Sequence, residues 1–339
     1  MSETLSDGRL TESELKKWHE DNLKSNELFC DKVKILLGDI IAGHDIPIHD
    51  IDGRVKGIDS LLKKFNEKGY ESIDKITDIV GTRIITLIPK DVDKICDLIK
   101  ENFEVDEGNS SDKSKELKEN ETGYQSVHYI VKLNPSRYNL LEWSAYKDRI
   151  VEIQIRTLLQ HAWATMSHDS YYKFPGAPSS EIRRRIHLTS AALELIDLEF
   201  QRSSEEVVKY KNEVSEDVEK GNLDIELNST SIAEYLNKNF NDFVDWPSFR
   251  KSFDGFDYTI IRQLKAFGIN SIADLNEIMP EIFSKKERIR IHSYPSFLIN
   301  VMRTNDRDRY FSVARDHDDF AREYHKDMYP EDKTKKVKW

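Results

Sequence analysis

The sequence has little cysteine and no long hydrophobic run. Its two cysteines, Cys30 and Cys96, lie in apolar stretches with helical spacing, which predicts buried, reduced thiols rather than a disulfide framework or a zinc site. No run of 18 apolar residues occurs, and the first residues lack the apolar segment of a signal peptide. These absences favour a soluble cytoplasmic protein that does not engage a membrane.

Basic charge is also in the minority: 51 lysines and arginines stand against 62 acidic residues, a net charge of −11. An acidic chain is not expected to coat nucleic acid non-specifically, although local basic patches can still bind one. With 339 residues, the chain has room for one large domain or two ordinary ones. Mixed strand and helix patterns predict an α+β domain over residues 1–210, followed by a charged linker at 211–228. Residues 229–339 predict a small, mainly α domain.

The most informative stretch is VEIQIRTLLQHAW, at residues 151–163. Its first six residues alternate, so a strand would bury the valine and isoleucines and present Glu152, Gln154 and Arg156 on the other face. An exposed polar edge would show the same alternation, which leaves both interpretations open. A helical pattern carrying His161 follows at once. An acid, an amide, an arginine and a histidine in this order indicate the floor of a site for a charged ligand.

A second apolar run, ITDIVGTRIITLI at residues 76–88, predicts a buried strand that contains Asp78 and Arg83. Buried charges are costly unless they are paired or bound to metal, so a salt bridge between these two residues is one interpretation and a ligand site is the other. Asp78 and Glu152 are the two acids set in otherwise apolar predicted strands. They are the natural pair for Mg²⁺, which takes one or two carboxylates together with phosphate oxygens.

Basic residues cluster between these acids and the N-terminus. Arg54 and Lys56 follow a predicted strand that is expected to break at residues 52–53, and Ser60 is predicted to begin a helix that carries Lys64. Cations at a strand end and on the first turns of a helix suit a polyphosphate. A solvated lysine face would have the same spacing, so the pattern alone does not decide.

Three further segments complete the predicted first domain. Residues 11–42 begin with a capping-box pattern and predict a helix, or two helices broken near Asn22. The polar residues 104–121 predict a loop lying over the site. The strand predicted next, TGYQSVHYIVKL, carries three polar side chains on one face: Tyr124, Ser126 and His128.

Taken together, these pieces resemble the RelA/SpoT synthetase domain found in ribosome-associated and small alarmone synthetases. The resemblance covers about residues 40–200 and implies a mixed β-sheet flanked by helices, related to nucleotidyltransferases. The shared motifs occur in family order: GRVKGIDSLLKK (53–64), ITDIVGTRII (76–85), TGYQSVHYIV (122–131), VEIQIRT (151–157) and HAWATMSHDSYYK (161–173).

The resemblance implies transfer of pyrophosphate from ATP to a ribose 3′-hydroxyl, which on GDP or GTP makes a (p)ppGpp-type alarmone. It implies Mg²⁺ held by Asp78 and Glu152, with Arg83 completing the catalytic set. The residues implied to bind ATP are Arg54, Lys56, Ser60, Lys64 and Arg83, and those around the acceptor are Tyr124, Ser126, His128, Gln154, Arg156 and His161.

The acceptor stays open at this point. Guanosine-accepting members of the family usually carry a lysine and an asparagine before Gly-Tyr, where this sequence has Asn120 and Thr122. Toxic members modify the 3′ CCA end of tRNA, and the C-terminal module would suit a neutralising or sensing role, acting in cis or through a protein partner. A non-catalytic nucleotide-binding regulator is a third alternative. Assembly into a homo-oligomer is also left open.

Overall fold

The computed structural model describes residues 11–112, 126–167, 179–240, 249–250, 253, 257–279 and 292–317. The chain divides into two compact units, Met1–Ser203 and Ser204–Trp339. Within the described ranges, no helix is long and apolar enough to cross a membrane. Cys30 and Cys96 are free, buried thiols, as predicted, and burial raises the pKa of each to about 11.

The first unit contains a six-stranded sheet and the helices around it. Single 3₁₀ turns occur at Ile73–Lys75 and Ser144–Tyr146. The elements are, in chain order, α1 (Glu12–Ala42), β1 (Ile48–Val55), α2 (Ile58–Lys68), β2 (Val80–Thr86), α3 (Pro89–Asn102), β3 (Phe103–Val105), β4 (Ser111–Asp112), β5 (Val127–Leu133), α4 (Pro135–Tyr138), β6 (Val151–Thr157), α5 (Leu158–Ser167) and α6 (Ser180–Lys220).

The strand order of the sheet is β1-β2-β6-β5-β3, with β4 pairing with β5. Strands β2 and β6 run parallel, and the other pairs are antiparallel. The predicted fold class, a mixed sheet flanked by helices, is confirmed. The parallel pair lies between antiparallel neighbours, so β2 and β6 are both interior strands.

One face of this sheet is apolar and forms the core of the first unit. Ile84 of β2 and Ile153 of β6 are fully buried there, together with Phe29 of α1 and Ile95 of α3. Because successive strand residues alternate between faces, the intervening residues of the same strands point away from this core. The second face is therefore free to carry polar side chains.

Helix α1 begins at the predicted capping box, in which the Thr11 hydroxyl accepts from the Glu14 amide and the Glu14 carboxylate accepts from the Thr11 amide. The predicted single helix is confirmed and the alternative of a break near Asn22 is wrong, because the helix continues to Ala42. The Asn22 side-chain amide donates to the Trp18 carbonyl at 2.9 Å, one turn back. The side chain therefore bonds along the helix rather than interrupting it.

Two predictions about the basic segment are also corrected. Strand β1 does not break at residues 52–53, because Gly53 pairs with Thr82 of β2 in continuous register. Helix α2 begins at Ile58 with Gly57 as its N-cap, so Ser60 lies inside the first turn and does not start the helix.

Asp78 lies in the turn before β2, which begins at Val80, so its predicted placement inside a strand is wrong. Part of the expected loop at 104–121 is also strand: β3 ends at Val105 and β4 covers Ser111–Asp112. Strand β5 begins at Val127, later than predicted. Residues 113–125 lie outside the described part of the chain.

The second unit is mainly α, as predicted. Its buried core includes Ile232, Leu264, Phe297 and Tyr310. The helices described in it, after the end of α6, are α7 (Ser229–Asn239), α8 (Asp257–Ala266), α9 (Ile272–Glu277), α10 (Tyr294–Asn305) and α11 (Arg307–His317).

The predicted linker at residues 211–228 is largely helical, because α6 runs on to Lys220. Val214 and Val218 of this segment are buried in the core of the second unit. A charged composition suggested a linker, but the two valines are spaced by one helical turn and give the segment an inward face. The exact domain boundaries stay a prediction.

Candidate active site

The polar face of the sheet collects site residues in two adjacent rows. Arg54 of β1 pairs with Gly81 of β2, which pairs with Glu152 of β6. In the next row Asp52 pairs with Arg83, Arg83 with Gln154, and Gln154 with His128 of β5. Directly paired residues present their side chains on the same face of a sheet. Five of the predicted site residues therefore share one surface: Arg54, Arg83, His128, Glu152 and Gln154.

Asp78 lies beside this surface and forms ion pairs with two lysines. The Lys64 Nζ donates to Asp78 Oδ2 at 2.7 Å, and the Lys56 Nζ forms a second, short ion pair with the same oxygen. Burial alone would raise the pKa of the Asp78 carboxyl, but the two lysines hold it below its usual value. Burial disfavours the charged form of Lys64, yet Asp78 raises its pKa overall. The proposed Asp78–Arg83 salt bridge is absent among the described residues.

Glu152 is held by a chain of hydrogen bonds along the sheet. The His128 Nδ1 lies 2.9 Å from Glu152 Oε1, and the His128 Nε2 lies 2.6 Å from the Ser126 hydroxyl. The Gln154 amide donates to Glu152 Oε2 at 3.0 Å. Burial would raise the pKa of the Glu152 carboxyl, but the bonds from His128 and Gln154 keep it below the usual value. Glu152 is thus an oriented, ionised carboxylate.

A cationic group lies at the far end of the same face. Arg156 is only 7% exposed, and burial followed by the neighbouring charge of Arg83 lowers its pKa to about 10. His161, on the first turns of α5, has its pKa lowered by burial and then by Arg156 and Arg83. The Nε atoms of both arginines and the Nδ1 of His161 are buried without a hydrogen-bond partner in the described part of the chain. Such a group suits an anion.

One predicted site residue is not brought into this cluster. Ser60 is exposed on α2 and its side chain forms none of the hydrogen bonds found among the described residues. Tyr124 lies outside the described part of the chain, as do Asn120 and Thr122.

Sequence reasoning missed three neighbours of the site. His49 and Asp50 of β1 contribute to the field at His161. Their position depends on an irregularity in the β1–β2 register between Ile48 and Asp50, which no local pattern announces. His19 of α1 was also missed, because it lies in the middle of an apolar helical stripe and its hydrogen-bond partner is remote in sequence.

The carboxylates fit a divalent cation that completes its coordination with substrate. No group of three or more histidine, cysteine or acidic side chains able to hold a metal occurs among the described residues. Asp78 Oδ1 is buried without a hydrogen-bond partner in that part of the structure, and the charge of Asp78 is felt at Glu152. Two neighbouring carboxylates with a free oxygen match the way Mg²⁺ is bound in phosphoryl-transfer sites, where phosphates and water supply the other ligands.

Comparisons with known proteins place these strands in a family. A family model described as "Region found in RelA / SpoT proteins" matches residues 53–177. GTP pyrophosphokinase YjbM of Bacillus subtilis is 32% identical over 163 residues, which cover 48% of this chain and 74% of the relative. GTP pyrophosphokinase YwaC of the same organism is 32% identical over 139 residues, covering 40% of this chain and 62% of that relative.

Among solved structures, small alarmone synthetase 1 from Bacillus subtilis is similar at 29% identity and a TM-score of 0.48, covering 57% of this chain and 98% of that one. The match to the family model begins at Gly53, near the end of β1, and continues through β6, so it includes most of the strand residues of the polar face described above. The extent and identity of the match to YjbM decide the assignment. This chain belongs to the RelA/SpoT family.

Proposed function

We propose that this chain is a pyrophosphokinase that transfers the β,γ-diphosphate of ATP to the ribose 3′-hydroxyl of GDP or GTP. The observation that carries the proposal is the pair of carboxylates: Asp78, held by Lys56 and Lys64 in the turn before β2, and Glu152, which is oriented on the polar face of the sheet and feels the charge of Asp78. Support for the reaction class comes from the two Bacillus subtilis relatives named as GTP pyrophosphokinases.

In this proposal the donor lies over β1 and the start of α2. Arg54, Lys56 and Lys64 provide cations for the phosphates of ATP, with Ser60 on the same helix and Arg83 at the transferred group. The lysines now paired with Asp78 would exchange that carboxylate for phosphate oxygens when ATP and a metal ion enter. Mg²⁺, held by Asp78 and Glu152, would neutralise phosphate charge and polarise the bond that breaks.

The acceptor lies over β5, β6 and α5. Its 3′-oxygen attacks the β-phosphorus, the bond from the β-phosphorus to the α-bridging oxygen breaks, and AMP leaves. Glu152 receives the hydroxyl proton, for which its ionised state is required. We assign His128 and Ser126 the task of orienting Glu152, and Gln154, Arg156 and His161 the task of holding acceptor and transferred phosphates. Tyr124 is proposed to stack on the acceptor base.

The deciding assay uses ATP labelled in the γ-phosphate, incubated with Mg²⁺ and with GDP, GTP or tRNA in separate reactions. Label moving to GDP or GTP, with release of AMP, supports the proposal. Label moving to tRNA would identify the CCA end, and not GDP or GTP, as the acceptor. The presence of Asn120 and Thr122 in place of the usual lysine and asparagine would help to explain that result. No transfer to any acceptor leaves a nucleotide-binding regulator.

Asp78→Asn and Glu152→Gln are each expected to reduce transfer at least about 100-fold, since each removes one charge from the proposed metal pair. The matched control is Asp59→Asn, the same chemical change at an exposed position of α2. Circular dichroism checks that all three variants are folded. Full activity in either Asp78→Asn or Glu152→Gln would remove the mechanism.

A further inference from the structure

His19 is a buried polar residue in the apolar stripe of helix α1. It is 5% exposed and lies one turn after Leu15, which is fully buried against Leu61, Ile76 and Ile79. A buried imidazole N–H is costly unless it finds an acceptor, so a histidine at this place in a helix contact needs an explanation.

The acceptor is the main-chain carbonyl of Lys56. The His19 Nε2 lies 2.9 Å from that oxygen, and because a carbonyl can only accept, Nε2 carries the hydrogen. The other main-chain polar group of Lys56 is bound as well: its amide donates to the Ile79 carbonyl at 2.8 Å. Lys56 is thus tied to α1 on one side and to the residue after Asp78 on the other.

These ties act at a short and critical connection. Lys56 and Gly57 join β1 directly to α2, and Gly57 is the N-cap of the helix that carries Lys64. Both lysines that bind Asp78 therefore depend on the path of the main chain through Lys56. The His19 hydrogen bond fixes this path from a third element, helix α1, which is neither the strand nor the helix that Lys56 and Gly57 connect.

We infer that His19 is a positioning residue, which sets the lysine pair for the phosphates of the donor nucleotide without touching the nucleotide itself. The inference rests on the proposed function, because it assigns Lys56 and Lys64 to ATP. It predicts that loss of the Nε2–H hydrogen bond specifically weakens the binding of ATP. A role limited to packing would change only the stability of the fold.

The test compares His19→Leu, which fills the space without a donor, with His19→Gln, whose amide nitrogen reaches about as far as Nε2. Binding of a non-hydrolysable ATP analogue with Mg²⁺ is measured by calorimetry, and the KM values for ATP and for the acceptor are measured separately. His19→Leu is expected to raise the Kd of the analogue and the KM for ATP about tenfold, with the acceptor KM unchanged. His19→Gln is expected to recover most of this loss.

Leu15→Ala is the matched control, because it weakens the same helix contact one turn away and leaves the Lys56 carbonyl bonded. It is expected to lower the unfolding midpoint while the Kd of the analogue stays at the wild-type value. An unchanged Kd in a folded His19→Leu variant overturns the inference, and so does an equal rise in Leu15→Ala. If wild type itself binds no ATP analogue, the proposed function falls, and the inference falls with it.

Discussion

Gly53 of strand β1 lies against helix α1. A Cβ atom at this position would stand 2.7 Å from the Cys30 sulfur and 2.8 Å from Cδ of Lys34. The lysine chain can move, but Cys30 is buried in the core and has little room to shift. Packing on the core face of the sheet thus requires a glycine at position 53. Its neighbour Arg54 lies on the opposite, polar face.

Gly53→Ala is therefore expected to lower the free energy of unfolding by about 1–3 kcal/mol, the usual cost of overfilling a packed contact. Gly57→Ala is the control, because a Cβ there meets nothing within 4 Å and the residue has φ −63°. Its cost should be roughly 0.5 kcal/mol, from the weaker N-cap. Chemical denaturation of both variants measures the difference, and equal losses would contradict the packing explanation.

At the scale of single residues, the sequence predicted which polar side chains of β6 share one face, but not the partners of Asp78. The acid pair was predicted because Asp78 and Glu152 are charges in apolar stretches of sequence. The shared face of Glu152, Gln154 and Arg156 was predicted from their alternation with apolar residues. The partners of Asp78 were not predicted, because Lys56 and Lys64 reach it from another strand and helix, and only the fold brings them together. Whether the assigned residues perform the proposed roles stays a prediction.

Helix caps show which element boundaries local sequence can fix. The capping boxes at Thr11 and Ser271 each consist of a hydroxyl residue and an acidic residue three positions later. Four consecutive residues are therefore enough to predict where each helix begins. The first of these boxes was predicted and is confirmed. The entry to β2 has no such signal, and the predicted strand therefore extended too far and absorbed Asp78.

The cap of α9 provides a prediction about pH. The Asp274 carboxylate accepts from the Asn270 and Ser271 amides, and these bonds lower its pKa from the ordinary 3.8. Because the folded-state pKa is the lower one, the cap stabilises α9 fully above about pH 3.8 and loses this effect as the pH falls through the folded-state value. Asp274→Asn removes this dependence.

Hydrogen exchange at the Ser271 amide measures the effect, compared between pH 5 and pH 3 in wild type and Asp274→Asn. The Ser231 amide is an internal control, because the corresponding cap of α7 uses Asn228, which does not titrate. Wild type should lose more protection at Ser271 than the variant does, with Ser231 behaving alike in both. Parallel behaviour at Ser271 would show that the Asp274 charge does not matter there.

For the molecule as a whole, the two cores are separate in sequence. Among the described residues, every buried member of the two apolar clusters of the first unit lies at or before Ile155, and every member of the cluster of the second lies at or after Val214. Residues 211–228 were predicted to be a linker because most of them are polar or charged. The two buried valines are too few to give the segment a clear amphipathic pattern. The oligomeric state and the partner of the second unit stay predictions.

This division predicts how truncations behave. A chain ending at Ser203 keeps all core residues of the first unit and is expected to fold and to retain transfer of label from ATP. A chain ending at residue 228 keeps Val214, Val218, Ile225 and Leu227 without the helices that complete their core, and is expected to aggregate more. Size-exclusion chromatography and the transfer assay check both. Loss of folding in the shorter chain alone would contradict the separation of the two units.

The strand order could not have been obtained from motifs, because pairing between distant segments leaves no local pattern. It also has a consequence for synthesis on the ribosome. Strand β6, the last of the sheet to be made, inserts between β2 and β5. Until it emerges, the nascent chain has two interior strands with open hydrogen-bonding edges, which are the structures most prone to pair with other chains. The strand that supplies Glu152 is thus also the one that closes the sheet against aggregation.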